Sequence, residues 1–541
     1  MQNEAPISRK ERFRRRRKRT LIATVVLFAF LFTAASGSAL WLKGRELIAP
    51  EWLKTRIAQQ IETALPEAQI RFGDVVAIID ENWLPQFFVR DLEWRTPAGE
   101  HVVTLTNVSA GVDGNALMQR RLSLSSLRVN GVFVTLRRDQ FGAFTLSAGT
   151  DAGSVTQAAP TLALLIAELD EFFLRPAMLT VREIDVRAIT LRYEDARAAR
   201  GWTVDGGRVR VLRDGLSLEA AADLAILGGR ANVATLEANY SGIIGETASE
   251  FGFSLDNLDT RDIASQSAAF SWLSTIEAPI SGALRGGVDN DGGLMPLNAT
   301  LQIGAGVIQP TPAATPIPID GAHSYFTYTP DTQSLRFDQF DIDSQWGRGS
   351  LEGLATMVTH KSGRLKEMVG QFRLNKLSVN PANIYDQPVD IEAAELDFRL
   401  SLEPFSFQLG RVDITDKGHV LTGRGQVAVG EKGWTVAMDG ELDGIAVDRV
   451  KELWPVSVKP KTRKWIGDNV SAGRITDASA AVRLSQGDVP KLYLSFDFAE
   501  ANARFLKEMP PLENGKGHAS LVKDRFVLVI DEGRVSAPLG G

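Results

Sequence analysis

Residues that commonly carry catalysis or bind metals are sparse in this sequence. The chain has no cysteine, which excludes a disulfide framework, a cysteine nucleophile and a Cys-ligated zinc site. Its histidines match no HExxH or HxH spacing, so we interpret them as isolated surface or core residues rather than metal ligands. These five histidines stand at least 37 residues apart: His101, His323, His360, His419 and His518.

Three further patterns come close to known chemistry without completing it. Residues 289–293 (DNDGG) resemble a calcium loop but lack its third ligand and its closing Glu, so a turn is favoured. Asp338, Asp341 and Asp343 fall on the wet side of an expected strand, where solvation explains them. No Gly-x-Ser-x-Gly elbow or phosphate loop is present. We therefore expect no enzyme, no catalytic residue, no metal and no cofactor.

A basic N-terminus precedes a long apolar segment. Residues 1–20 contain nine basic and two acidic side chains, a net charge of +7, so the rest of the chain carries −13 of the total of −6. Leu21 to Leu42, 22 residues without a charged side chain, are long enough to cross a bilayer as a helix. The positive-inside rule then predicts a cytoplasmic N-terminus and export of the remainder. A cleaved signal peptide and a nucleic-acid-binding tail are the alternatives.

Beyond this segment, the dominant hydrophobic period is two residues, which is typical of strands with one apolar face. Leu396 to Leu402 and Leu492 to Phe498 alternate with polar residues, and Leu122 to Leu136 predicts three short strands with a turn at Gly131. Long βαβ alternation is absent, so the sequence predicts a mainly β protein rather than a parallel α/β enzyme.

Few helices are expected. Apolar residues recur at helical spacing in residues 50–66, 161–174 and 261–276, and residues 447–470 predict two short helices broken by prolines. A weak internal repeat relates residues 335–355 to residues 405–428, each with two strands and a Gly-Arg-Gly triplet. A third copy begins near Phe526 and stops short, so we expect the sequence to be the N-terminal part of a longer protein.

The apolar side of these strands has to be covered. Periodicity alone favours ordinary sandwiches with filled cores. The other solution is a long curved sheet whose apolar face is covered by lipid tails, since moving a tail into water costs about 0.8 kcal/mol per CH₂. About 25 strands spaced about 4.8 Å apart would give such a groove a length of about 120 Å.

Two stretches resemble a known family. Leu127 to Phe144 (LRVNGVFVTLRRDQFGAF) resembles the strand–turn–strand element, ending in Arg-Arg-Asp-x-x-Gly-x-aromatic, near the N-terminus of AsmA-like proteins. Residues 69–79 and the single apolar segment fit the same pattern. Leu453 to Ala478, with its Trp454-Pro455 pair, is similar to the Trp-Pro helix segment of the YhdP branch of that family.

The resemblance implies a fold, a place in the cell and a function. The fold is a long twisted antiparallel sheet that forms an elongated apolar groove, behind an N-terminal transmembrane helix. The place is the bacterial inner membrane, with the bulk of the chain in the periplasm. The function is bridge-like transfer of phospholipid towards the outer membrane. Members of this branch are about twice as long, so their outer-membrane end would be missing here.

We expect the groove to be lined by the alternating apolar residues of the clearest strands, with ordinary core packing as the open alternative for each. Substituting Asp for Phe398 or Phe496 is then expected to block lipid passage with little unfolding. The expected lining residues are Val132, Val134, Leu136, Leu396, Phe398, Leu400, Leu402, Leu492, Leu494, Phe496 and Phe498.

The expected partners are phospholipid, the inner membrane and outer-membrane or periplasmic proteins, without nucleic acid. The alternative function is an envelope assembly or scaffold protein whose β-edges engage outer-membrane clients without lipid cargo. The expected divisions are a basic tail (1–20), a transmembrane helix (21–42), an AsmA-like β module (43–150), a groove segment with inserted helices (151–309), a groove repeat segment (310–445), and a Trp-Pro helical insert with further strands (446–541).

Overall fold

The computed structural model describes most of the chain after residue 44. The basic tail, the apolar segment Leu21–Leu42 and most of the helix expected at 50–66 lie outside the described residues. Within the described part of the chain, no helix is long and apolar enough to span a bilayer. The described residues are 45–51, 54–55, 69–79, 85–95, 101–114, 116, 119, 123–140, 143–147, 155–157, 162–176, 178–196, 200–228, 233–360, 365–380, 383–456, 458–522 and 525–536.

Strands dominate the described residues, as the alternating sequence predicts, and 27 of them belong to one sheet. The strands are β1 (Leu47–Ile48), β2 (Gln69–Arg71), β3 (Val75–Ile79), β4 (Pro85–Arg95), β5 (His101–Val112), β6 (Leu124–Arg138), β7 (Phe144–Ser147), β8 (Val155–Gln157), β9 (Glu183–Asp195), β10 (Arg200–Asp214), β11 (Ser217–Leu227), β12 (Ala234–Ile243), β13 (Ser249–Asp259), β14 (Ile276–Glu277), β15 (Pro279–Val288), β16 (Leu297–Ile303), β17 (Gly306–Ile308), β18 (Ile317–Ile319), β19 (Gly321–Thr329), β20 (Ser334–Ser344), β21 (Gly347–Thr359), β22 (Leu365–Val379), β23 (Val389–Leu402), β24 (Phe405–Asp416), β25 (His419–Gly430), β26 (Gly433–Ala446), β27 (Val470–Ser485), β28 (Lys491–Ala503), β29 (Leu512–Val522) and β30 (Arg525–Val535).

Most of the sheet is an antiparallel meander. From β9 to β30 each strand of the large sheet pairs with the next one along the chain, and β14, β17 and β18 form a separate small sheet. Exposed and less exposed residues alternate along β12, β16 and β28, so one face is wet and the other is covered. Short turns between sequential strands suit this topology, because antiparallel neighbours need no crossover.

One strand pair corrects the antiparallel expectation. β6 and β9 run parallel from Ser126↔Glu183 to Arg138↔Asp195, so the sheet is mixed. The 44 residues between β6 and β9 supply the long connection that a parallel pair requires, and they contain β7, β8 and a helix. The three short strands expected over residues 122–136 are also wrong. Residues 124–138 form the single strand β6 instead, and Gly131 lies inside it at a φ of 76°.

Bulges bend many of the long strands. The pairing register shifts within β10, β20, β24 and β28, and left-handed residues such as Ala188 lie inside strands. An extra residue on one strand increases the local twist and bends it. The two similar sequence stretches fold alike: the hairpins β20–β21 and β24–β25 each contain a bulge in their first strand.

Helices connect or cover the sheet, close to where the sequence predicts them. The expected helix at 261–276 is divided, because a short α-helix ends at Ala264 and a 3₁₀ helix follows. Pro460 begins the second helix of 447–470 rather than breaking it, as suits a residue without a backbone N–H donor. The helices are α1 (Leu162–Leu174), α2 (Thr260–Ala264), the 3₁₀ helix (Ala268–Thr275), α3 (Val447–Leu453) and α4 (Pro460–Asn469).

Candidate functional site

An uninterrupted row of apolar residues crosses the large sheet from β3 to β30. Directly paired residues of neighbouring strands lie on the same face of a sheet, so the row can be followed from one pair to the next. No polar or charged side chain occurs in it. At about 4.8 Å per strand, its 23 positions extend about 100 Å along the sheet. The row is Val75, Val89, Val108, Val129, Val186, Val209, Ala222, Ala238, Phe253, Leu284, Ala299, Phe326, Phe337, Gly353, Phe372, Leu396, Val412, Gly423, Gly440, Ala480, Leu494, Leu521 and Phe526.

Parallel rows make the apolar face several residues wide. A second row runs from Leu224 on β11 to Ala478 on β27, and Ser324 is its single polar member. A third row runs from Met357 on β21 to Leu484 on β27 through apolar residues alone. This face is called the apolar face below.

The opposite face carries most of the charged side chains of the strands, and several of them are paired. Arg373 and Glu395, which oppose each other on β22 and β23, form an ion pair of 2.9 Å. On β9, Asp185 accepts hydrogen bonds from Arg208 and Arg187, which lower its pKa to about 2. The two faces of the sheet therefore differ sharply in character, and the charged one suits water.

The middle of the apolar face is filled by protein. Residues 260–275, which contain α2 and the 3₁₀ helix, cross it as a strap between β13 and β15. Trp272 of the strap packs edge-on against Phe337 and Phe340, with ring centroids 6.3 and 6.1 Å apart. Leu273 is completely buried beside them. The largest core cluster of the described residues lies here, beneath the strap.

Polar contacts fix the strap to β9 and β10. Asp262 of α2 accepts hydrogen bonds from Arg200 and from the Trp202 indole, the latter at 2.9 Å. Gln266, just after α2, donates to Asp195 at 3.2 Å. Carboxylates this deeply buried require such partners, so these bonds determine where the strap lies.

A second cover, formed by α3 and α4, lies over the part of the apolar face near β26 to β29. Arg449 of α3 bonds Asp416 at 2.7 Å and the carbonyl of Asp390 at 2.7 Å. Arg463 of α4 donates to the Trp454 carbonyl at 3.1 Å, which joins the two helices. This pair of helices, with residues 454–459 between them, is called the lid.

The lid does not fill the space beneath it. A cavity of about 510 Å³ remains between the lid and the sheet, and apolar groups dominate its lining. The row of apolar residues explains the space: it presents Gly440 and Ala480 here, whereas under the strap it presents Phe326 and Phe337. Packed cores leave few voids larger than a water molecule, so this cavity is suited to an apolar ligand.

The expected lining residues fall into three places. Leu492, Leu494, Phe496 and Phe498 of β28 all line the cavity. Leu396, Phe398, Leu400 and Leu402 of β23 lie in or against the filled core instead, with Phe398 only 3% exposed. Val132, Val134 and Leu136 of β6 are half-buried and pair with Ile189, Leu191 and Tyr193 of β9.

The position of Phe398 changes the expectation that Asp at this position would block lipid passage with little unfolding. Its ring stacks on Phe407 at 5.3 Å and packs against Phe372 at 4.6 Å. A charge at this position is expected to unfold the core, whereas Phe496 borders open space.

Sequence reasoning missed the residues that make the cavity. Glycine and alanine carry no hydrophobic period of their own, so Gly440, Gly473, Ala480 and Ala501 give no signal until their strands are aligned. It also missed the strap's role, because Phe270 and Trp272 resemble ordinary core residues. The Trp454-Pro455 pair was the available signal for the lid.

Neither a metal site nor a known relative accounts for this arrangement. In the described part of the chain, no group of three or more His, Asp or Glu side chains is placed to hold a metal ion. No family model, curated protein or solved structure matches the chain. The geometry of the apolar face and its cavity therefore carries the functional argument.

Proposed function

We propose that this protein is a lipid-transfer protein that holds phospholipid tails against the apolar face of its sheet. The observation that carries the proposal is the unbroken apolar row of 23 residues, wide enough with its neighbours to cover an acyl chain. Headgroups would remain in water at the rim of this elongated groove. The cavity under the lid is the site where we expect a tail to be bound.

Energetics support a conduit for tails. Each CH₂ that enters water costs about 0.8 kcal/mol, so a lipid leaving a bilayer unprotected faces a large barrier. A row without a charged residue along about 100 Å lowers this barrier at every step, since a tail exchanges one apolar contact for the next.

The cellular setting in this proposal comes from the sequence. Leu21–Leu42 would anchor the chain in the inner membrane, with the basic tail cytoplasmic and the sheet in the periplasm. Phospholipid would then move between the inner and outer membranes, as the resemblance to the YhdP branch of AsmA-like proteins suggests. No enzymatic step or cofactor belongs to this mechanism, because tails only diffuse.

The first test measures bound lipid. Native mass spectrometry of the full chain, followed by lipid extraction, is expected to find phospholipid in at least equimolar amount. Phe496→Asp should remove most of it, because a carboxylate in the cavity cannot be solvated there. Ser495→Asp, its exposed neighbour on the polar face, is the matched control and should retain lipid. A folded wild-type chain without lipid would reject the proposal.

An assembly scaffold without lipid cargo is the second candidate, and β30 favours it. All 11 residues of β30 are exposed, and in the described part of the chain it pairs with β29 alone. An unpaired strand edge can bind an extended client strand. The scaffold predicts capture of β-rich clients by a lipid-free chain, so the lipid measurement separates the two candidates.

A further inference from the structure

A cluster of exposed apolar side chains lies beside the lid. Leu506 and Met509, in the connection between β28 and β29, are 61% and 51% exposed. The Phe505 ring packs on Trp465 of α4 at a centroid distance of 5.9 Å, and both rings are partly exposed. Single exposed apolar residues are ordinary, but four contiguous large ones mark an interaction surface.

Basic residues outnumber acidic ones in the sequence near this cluster, and several of them are paired, including Arg449 with Asp416, Arg463 with Asp386 and Lys464 with Asp468. Residues 447–474 contain seven basic and three acidic side chains, a net charge of +4 in a chain of net charge −6. Lys461 and Lys464 lie on the outside of α4, and Lys507 and Glu508 follow Leu506 directly. Trp465, Phe505, Leu506 and Met509, together with Lys461, Lys464 and Lys507, are called the docking patch. Aromatic and aliphatic groups within a cationic rim match an anionic bilayer surface.

The docking patch is continuous with the cavity. Trp465 and Phe505 belong to both, and the Arg504 amide donates to the Asn469 carbonyl at 2.9 Å, which holds the connection against α4. A bilayer on the patch would therefore lie at the mouth of the cavity.

We propose that the docking patch binds the surface of an anionic phospholipid bilayer and opens the cavity to it. This inference rests on the proposed function and adds the place where lipid enters or leaves. The patch would insert Leu506 and Met509 among the acyl chains while the lysines bind phosphates.

The absence of cysteine allows a direct test. Leu506→Cys in the full chain is labelled with an environment-sensitive NBD dye and reconstituted in phosphatidylcholine nanodiscs. Added phosphatidylglycerol vesicles are expected to shift its emission to the blue. Val489→Cys is the control, since this 84% exposed residue lies at the opposite end of β28 and should stay in water.

Charge variants test the anionic assignment. Lys461→Gln should weaken the apparent vesicle affinity about fivefold, the effect of one lysine near an anionic surface. The proposal is overturned if the NBD emission from position 506 does not shift to the blue. It is also overturned if phosphatidylcholine vesicles cause an equal blue shift. A blue shift that grows with protein concentration in the absence of vesicles would mean that the patch binds a second copy of the chain. That result would also overturn the proposal.

The proposed function has a separate readout. Lipid bound to the labelled chain is measured by native mass spectrometry on the same sample. Bound lipid without a shift at position 506 rejects the docking patch and leaves the lipid-binding face intact. Absence of bound lipid rejects the proposed function itself.

Discussion

Side-chain size, residue by residue, decides where the apolar face is closed and where it is open. The same row holds Phe326, Phe337 and Phe372 under the strap but Gly440 and Ala480 under the lid. Aromatic rings fill the space and contribute pair contacts worth about 0.5–1.5 kcal/mol each. Small residues leave the space beneath the lid empty and so form the cavity, although both sets belong to the same apolar row.

Two tryptophans give a prediction about the strap at the residue scale. The Trp202 indole donates to the buried Asp262, whereas the buried Trp272 indole finds no acceptor among the described residues. Trp202→Phe should lower the free energy of unfolding by about 1–3 kcal/mol, because it removes a hydrogen bond to a carboxylate. Trp272→Phe keeps an aromatic ring and should change the free energy of unfolding little. Urea denaturation compares them, and an equal loss in both would contradict this assignment.

Strands and helices differ in how far sequence predicts them. Alternation predicts strands such as β23 and β28, and Pro455 and Pro460 mark the two lid helices. Alternation cannot show which strands are covered by other parts of the chain, because a core residue and a groove residue obey the same period. That is why the β23 and β28 sets look equivalent in sequence and lie in different surroundings.

The parallel pair β6–β9 shows another limit. Nothing in residues 124–138 specifies a partner 45 or more residues later, because pairing depends on the connection rather than on the strand. The hairpin turn expected at Gly131 does not form, and the reason is local. A glycine at positive φ can lie inside a strand as well as in a hairpin turn, and the pairings of β6 with β5 and β9 keep their register past Gly131.

The lid gives a prediction at the element scale. Ala480→Phe should fill part of the cavity and reduce binding of a fluorescent fatty-acid analogue about tenfold, while leaving the melting temperature unchanged or raised. Ala481→Phe, on the polar face of the same strand, is the control and should bind normally. Undiminished binding by Ala480→Phe would place the ligand outside the cavity.

Across the whole molecule, the register turns many locally ordinary strands into one surface. Each apolar pair contributes only modestly by itself, and each would suit a sandwich core. Their alignment over 23 strands is a property of the sheet as a whole, since a slip of one residue would bring a polar side chain into the row. The strap crosses this surface in the middle, so transfer along its full length requires tails to pass Trp272 or the strap to move.

The last prediction tests whether lipid travels along this surface. Ala222 on β11 belongs to the row, and its neighbour Ala221 is exposed on the polar face. In the full chain, a photo-crosslinker at Phe496 reports lipid that has reached the cavity, more than ten strands away. Ala222→Asp should reduce lipid crosslinking about tenfold, because tails cannot pass a carboxylate that lacks water. Ala221→Asp should leave crosslinking unchanged. Equal crosslinking in both variants would mean that lipid reaches the cavity from the nearer end of the sheet, and that the N-terminal strands bind tails without conducting them.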